Sequence, residues 1–419
     1  MSAAPSETFP PRGFTRFWAA GAVSSFGTYV TLLALQTLVV LTLDGTAQDV
    51  GWLNSARWLP YLVLGLVVGA LVDRRRRRPV LVATDLAQAV LLISIPAVWA
   101  AGILSLPLLL VIVLGYGTAS LVNGAAEMSV IPRLVPAEHL QRAHSRIDGA
   151  GAVAQTTGPA LAGWLVKLIG APLAVLVDAA SYLFSAWMIA RVPIQEPVPD
   201  AARLPNLRRE IGAGLRWIYR TSGLAILAVV THIWFAANAV LGAVLAPYVL
   251  VTLGLSPLQF GIITAFTGVG GVLGALTSGA GGRRLGTGAA IITAHAVSAV
   301  GVAGMVFAGL GTHGWGAAAV VGAGSAFHGF GIGFSNSHEM SYRQALTPDG
   351  LQARTNMTMH SFNRAIIVVV APLGGLLADQ AGMRPALVLA CAVFAVAAAM
   401  LAASPVRHVN QHPVTGPAQ

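Results

Sequence analysis

The chain is a succession of apolar runs, each about as long as a bilayer is thick, separated by short gaps that hold nearly all of its arginine. A helix needs roughly 20 apolar residues to cross the hydrocarbon. Twelve stretches meet that need: 14–43, 48–72, 79–101, 105–131, 145–169, 171–193, 223–252, 257–281, 287–310, 314–345, 355–378 and 383–404. A water-soluble fold is excluded, because 10% of the 419 residues are charged and 56% are hydrophobic. Soluble domains carry about a quarter charged residues. The 47 glycines suit the same solvent, since small residues let helices approach closely in lipid. The first run follows a Pro-rich start (Pro5, Pro10, Pro11) and is too long for a signal-peptide core, so it is expected to span.

The basic residues sort by side. The N-terminus, the even-numbered loops, the end of span 6 and the C-terminus hold 21 of the 25 Lys and Arg residues, Arg74–Arg78 among them. The odd-numbered loops hold Lys167 and Arg384, and Arg57 and Arg364 fall inside spans. By the positive-inside rule both termini are expected in the cytoplasm of a bacterium, with the chain multi-pass in its plasma membrane. The formal charge of +10 is thus a topology signal beside anionic lipid, and no nucleic-acid partner is expected. The single cysteine, Cys391, forms no metal or disulfide framework.

The two halves repeat. Glu127-Met128-Ser129 returns as Glu339-Met340-Ser341, and Leu140-Gln141 returns as Leu351-Gln352. Gly69-Ala70-Leu71 before an arginine cluster is answered by Gly274-Ala275-Leu276 before Arg283 and Arg284, and Pro159 and Gly163 by Pro372 and Gly375. The expected division is a tail (1–13), a six-helix bundle (14–194), a cytoplasmic linker (195–222), a second six-helix bundle (223–404) and a tail (405–419). Within the linker, Leu207, Ile211, Leu215 and Ile218 lie on one face of an expected interfacial helix over 207–219. The fold class is an all-α membrane protein of twelve transmembrane helices in two pseudo-symmetric bundles. Parallel six-helix repeats are a transporter architecture with a site between the halves.

The run from Gly69 through Asp73 to Arg78 resembles the loop 2–3 signature of the major facilitator superfamily, with Arg76 where that family usually has glycine. Gly158, Pro159 and Gly163 in span 5 are similar to the helix-bend motif of the family's exporters. The stretch from Tyr342 to Gly375 resembles the actinobacterial branch of drug and siderophore exporters. The resemblance implies a latch at the cytoplasmic mouth, made by Gly69, Asp73, Arg74, Arg77 and Arg78. It also implies alternating access and export coupled to protons. Span 4 lacks the basic residue common in the family's antiporters and carries Tyr116, Asn123 and Glu127 instead.

Ionisable groups at bilayer depth each cost roughly 2.5–3.5 kcal/mol, so each needs a role. Glu127 is expected to pair with the Arg74–Arg78 loop, and Glu339 with Arg283 or Arg284, as part of the same latch. Asp85 and Asp148 are candidates for coupling, with a structural ion pair as the other reading of Asp85. Arg57 and Asp178 lie at similar depth and are expected to pair. His360 and Arg364 share a helical face and are further coupling candidates: they are read as a group for an anionic or carbonyl-bearing substrate, as a partner that tunes a nearby carboxylate, or as a cation satisfied by helix carbonyls or snorkelling toward a polar edge. Phe26, Tyr29, Gln36, Tyr116, Asn123, Gln155, Trp234, Phe235, Asn238, Phe330, Phe362 and Asn363 are expected to line a substrate cavity.

No phosphate-binding loop, nucleophile elbow or metal-ligand spacing occurs, so no cofactor, metal or enzymatic activity is expected. The sequence reads as a secondary transporter, monomeric in the bilayer, exporting small amphipathic compounds with protons as the coupling ion. The alternatives are an importer, a lipid transporter or an uncoupled facilitator of the same fold, and a non-transporting membrane sensor or assembly partner.

Overall fold

A computed structural model describes residues 10–193, 207–221 and 223–409. The expected terminal tails, and the part of the linker before 207, therefore lie largely outside the described residues. Thirteen α-helices follow one another. The first half holds α1 (Arg12–Thr37), α2 (Ala47–Asp73), α3 (Arg77–Ala100), α4 (Leu106–Leu134), α5 (Leu140–Ile169) and α6 (Ala171–Ala190). A short α7 (Leu207–Arg216) leads to α8 (Ala225–Pro247), α9 (Pro257–Leu285), α10 (Thr287–Val306), α11 (Trp315–Leu346), α12 (Asp349–Ala381) and α13 (Met383–Ala402). Ten of the twelve long helices are apolar enough by themselves to cross a membrane. Of the other two, α5 opens on a polar turn with Gln141, Arg142 and His144, and α2 packs between α4 and α12.

The all-α, twelve-span reading holds. The largest differences are at helix starts. Helix α12 begins six residues before the expected span, because Pro348 presets its entry and the polar run Asp349–Arg354 makes a helix beyond the apolar stretch. Helix α5 begins at Leu140 for the same reason.

Local rules repeat with the sequence. Helices α1 and α8 both end in a π-helical turn, over Leu38–Thr42 and Tyr248–Thr252. Each then turns through a left-handed residue, Asp44 (φ 50°) or Gly254 (φ 61°). Each next helix starts with a capping box, Thr46 with Asp49 or Ser256 with Gln259. Three connections shrink to one glycine, Gly170, Gly286 and Gly382, at φ 80°, 81° and 102° with ψ near 157°. Only glycine tolerates that backbone.

Within the first half, α6 packs on α1 and α3, and α4 on α2 and α3; within the second, α11 packs on α9 and α10, and α13 on α8 and α10. The halves meet where α2 lies along α12 and α8, and where α5 lies along α9. Glycine makes these seams. A Cβ on Gly51 would stand 2.6 Å from Pro372 Cα, one on Gly375 2.5 Å from Gln48 Cα, and one on Gly163 3.0 Å from Gly261 Cα. The described hydrogen bonds between the halves lie at the same end, away from the arginines. Asp379 accepts from the Ala47 and Gln48 N–H groups at 3.0 Å each, and Ser55 Oγ donates to Val368 O at 2.7 Å. Asp379 therefore caps a helix of the opposite half. Asp379→Ala is expected to cost about 1 kcal/mol, the worth of a helix cap. A lowered melting temperature of the purified protein checks this; unchanged melting contradicts it.

Candidate functional site

Three polar regions emerge. The first is a cavity of about 230 Å³ inside the first half, lined from α1, α2, α3, α4 and α6. Helix α3 aims Asp85 into it from a position only 2% exposed. Asn123 Nδ2 and Ser185 Oγ each donate to this carboxylate at 2.7 Å, and Asn123 also donates to Thr84 Oγ1 at 2.9 Å. Asp85 is thus held by neutral donors, and the ion-pair reading is corrected. Glu127 faces the same cavity, and a second recess with Trp18 and Ile147. No ion pair from Glu127 to Arg74–Arg78 is found among the described residues; about two turns inside the end of α4, it faces Gly21 of α1, with Oε1 3.7 Å from a Cβ built there. The cavity therefore holds two carboxylates and neutral polar groups. Gln88, Ser120 and Tyr182 of its lining were missed because single polar residues at helical spacing look like ordinary packing.

The second region is the matching place in the second half. Here Nε2–H of His295, on α10, donates to Glu339 Oε1 at 3.1 Å. This corrects the expected partners of Glu339, since Arg283 and Arg284 stand exposed at the end of α9. Nearby, His328 Nε2 donates to Asn238 Oδ1 at 3.1 Å, and Asn238 donates to Trp234 O at 3.0 Å. A hydrogen-bonded chain reaches in from the π-helical turn Trp217–Thr221 that follows α7: the Tyr219 hydroxyl donates to His232 Nε2, and His232 Nδ1 donates to Asn363 Oδ1 at 2.7 Å. Partners on both ring nitrogens set the tautomer of His232, whereas Nδ1 of His295 and of His328 is buried with no hydrogen-bond partner among the described residues.

The third region lies in the seam. Arg364 of α12 reaches across to α2 and stacks on Trp58, with Cζ 3.7 Å from the ring centroid; Arg57 Cζ lies 4.9 Å from the same centroid. The expected Arg57–Asp178 pair is absent. Asp178 is fully buried in α6 and accepts from Ser181 Oγ at 2.9 Å, because Gly27 of α1 lets that helix close over it.

Other expected residues fall elsewhere. Tyr116 is buried in the core with its hydroxyl 2.9 Å from that of Tyr182, and it is absent from the lining of the cavities described above. Phe26 lines an apolar recess of about 420 Å³ between α1, α5 and α6. Tyr29 packs on Gly158. Trp234 stacks on His328 within the second half, Phe235 meets it edge-on, and Phe330 stacks on Phe334. Phe362 stacks on His232, and Asn363 is buried beside it. Gln36 is half-buried, while Gln155, His360 and Asp148 are exposed. Exposure removes the desolvation argument for Asp148 as a proton carrier. Gly163 and the Pro159 carbonyl abut Gly261, so the span 5 motif serves the seam. Of the latch residues, the side chains of Gly69 and Asp73 lie outside the described residues; Arg77 is buried, Arg74 half-buried and Arg78 exposed.

Residues 17–366 match the family model of the Major Facilitator Superfamily. Macrolide efflux protein A of Streptococcus pyogenes is 27% identical over 227 residues, which cover 52% of this chain and 54% of that protein. The chain thus spans about half the length of that curated relative. Multidrug efflux pump Tap of Mycolicibacterium fortuitum is 27% identical over 301 residues, covering 69% of this chain and 71% of the pump. Among solved structures, a bacterial homologue of the iron transporter ferroportin in its inward-facing state is similar in fold, with TM-score 0.76 at 16% identity over 94% of this chain and 98% of that one.

Proposed function

This chain belongs to the Major Facilitator Superfamily, and we propose that it exports small amphipathic compounds by alternating access, driven by protons. The observation that carries the reading is the seam. Two pairs of helices, α2 with α12 and α5 with α9, touch backbone to backbone at the end away from the arginines. Contacts of that kind are bistable: they are closed or parted, with little between. With the arginine-rich end in the cytoplasm, the described state is sealed on the outside. Rocking of the halves about the mid-depth site then carries a bound molecule across.

Direction rests on the efflux relatives, each 27% identical. Proton coupling rests on Asp85 and Glu127, which share one cavity in the first half. A carboxyl group buried among neutral donors exchanges a proton at lower cost than one locked to an arginine. The halves are taken as the moving bodies, with residues 195–222 between them.

The test is accumulation of fluorescein, loaded as its neutral diacetate ester, in cells expressing the protein. Expressing cells are expected to hold less dye than vector controls, and a protonophore is expected to erase the difference. Equal accumulation with and without the protonophore would rule out proton-driven export of such compounds.

A further inference from the structure

Two arginines stand at mid-depth between the ends of their helices, and among the described residues no carboxylate lies within ion-pair distance of either. Arg57 is about three turns into α2, and Arg364 about four turns into the 33-residue α12. Both are too deep for their side chains to reach either aqueous face by snorkelling. Among the described residues neither makes a hydrogen bond or an ion pair. Asp178, the buried acid expected to answer Arg57, is held by Ser181 instead. What the two cations share is one indole: both guanidinium carbons lie within 4.9 Å of the Trp58 ring centroid. Stacking attracts a cation but leaves its charge and its in-plane N–H donors unused.

We propose that Arg57, Trp58 and Arg364 form the recognition site for the anionic group of an amphipathic substrate, a carboxylate, sulfonate or similar oxyanion. The proposal rests on the export reading and names the substrate class for it. The place suits the role. The triad bridges the two halves, so an anion held there is gripped by α2 and α12 together. It lies within about one turn of Ser55 and Val368, which form the deepest of the described hydrogen bonds closing the seam. Guanidinium groups present a planar fork that matches an oxyanion with two parallel hydrogen bonds, and the indole face takes the adjoining apolar or aromatic frame. Both arginines are half-buried, so their donors remain accessible.

The site also touches the carboxylate cavity. Tyr61 meets Trp58 edge-on, with ring centroids 5.0 Å apart, and its hydroxyl lies 3.3 Å from Ser120 Oγ in the cavity wall. Substrate charge and the acids Asp85 and Glu127 are therefore linked through one aromatic contact.

The test uses the full chain in nanodiscs and two dyes on the same xanthene frame: fluorescein, an anion near neutral pH, and rhodamine 6G, a cation. Binding is read by fluorescence anisotropy against empty nanodiscs. Wild-type protein is expected to bind fluorescein about tenfold tighter than rhodamine 6G, and Arg57→Gln and Arg364→Gln are each expected to weaken fluorescein binding about tenfold while sparing rhodamine 6G. Arg364→Lys keeps the charge, loses the fork and falls between. Equal or tighter binding of rhodamine 6G by the wild type overturns the proposal. So does unchanged fluorescein binding in a glutamine variant that elutes and melts like the wild type. If the glutamine variants do not fold, the wild-type preference and the lysine variant decide in the same senses. Binding needs no transport, so the two readings fail separately. Arginine-dependent fluorescein binding without fluorescein efflux removes only the direction or energy source. Fluorescein efflux without a binding preference over rhodamine 6G removes only the anion site.

Discussion

Replacing Gly163 and Gly375 together by valine is expected to reduce export by about a hundredfold, with the protein still folded in the membrane. Each glycine sits where two halves touch through backbone. A Cβ at Gly375 would stand 2.5 Å from Gln48 Cα, and one at Gly163 3.0 Å from Gly261 Cα and 3.1 Å from Leu258 Cα. Neither obstacle is the flexible end of a side chain, so relief requires the helices to part. Overpacking of this kind costs about 1–3 kcal/mol per site, and 1.4 kcal/mol is tenfold in an equilibrium. The cost falls on the outside-sealed state alone, because the seam is open in the other state. The population shifts accordingly, and each transport cycle pauses at closure. Fluorescein efflux at matched expression gives the rate. Spin labels at the ends of α2 and α8 away from the arginines should show a longer distance than in the wild type. A double variant that exports at the wild-type rate would mean that these seams do not close during transport.

The second large effect is expected at Asp85. Asp85→Asn should lower gradient-driven efflux about tenfold or more, the scale of a typical coupling free energy, while dye exchange without a gradient continues. Asparagine keeps the local structure: its carbonyl accepts from Asn123, and its amide donates to the Ser185 hydroxyl, which can turn to accept. Only the exchangeable proton is lost. Asp85→Ala leaves both donors without an acceptor in a buried site, which costs about 1–3 kcal/mol of stability and shows as a lowered melting temperature. If the Asn variant exports at the wild-type rate under a gradient, Asp85 carries no coupling proton, and Glu127 becomes the next residue to replace.

The pattern of these residues shows how far one dimension carries. Glu127 and Glu339 are recognisable as repeat mates from Glu-Met-Ser alone, and so is their depth. Their partners are not. The arginines nearest in the chain were the natural choice, yet Glu127 faces a cavity and Glu339 takes His295, forty-four residues away. Which way a carboxylate turns depends on the rotation of its helix, and that is set by glycines such as Gly21, Gly27 and Gly117 that admit a neighbour on one side. Tyr116 looked like a cavity residue because it is polar and aromatic in a span. It is core because Tyr182 meets its hydroxyl from α6. The capping boxes at Thr46 and Ser256 were present in the sequence and readable from the serine/threonine-to-acceptor spacing, whereas the π-turns before them carry no local signal.

Arginine placement and apolar run length by themselves determined that lipid is the solvent, how many times the chain crosses it, and that two similar bundles are joined in the middle. These follow from transfer free energies, which add residue by residue along a chain and need no knowledge of neighbours. Tertiary structure alone decided which ionisable side chains face each other, which stack on an indole, and which glycines form the seam between the halves. Those outcomes depend on how helices distant in the chain rotate and settle against one another, and hydropathy is blind to rotation.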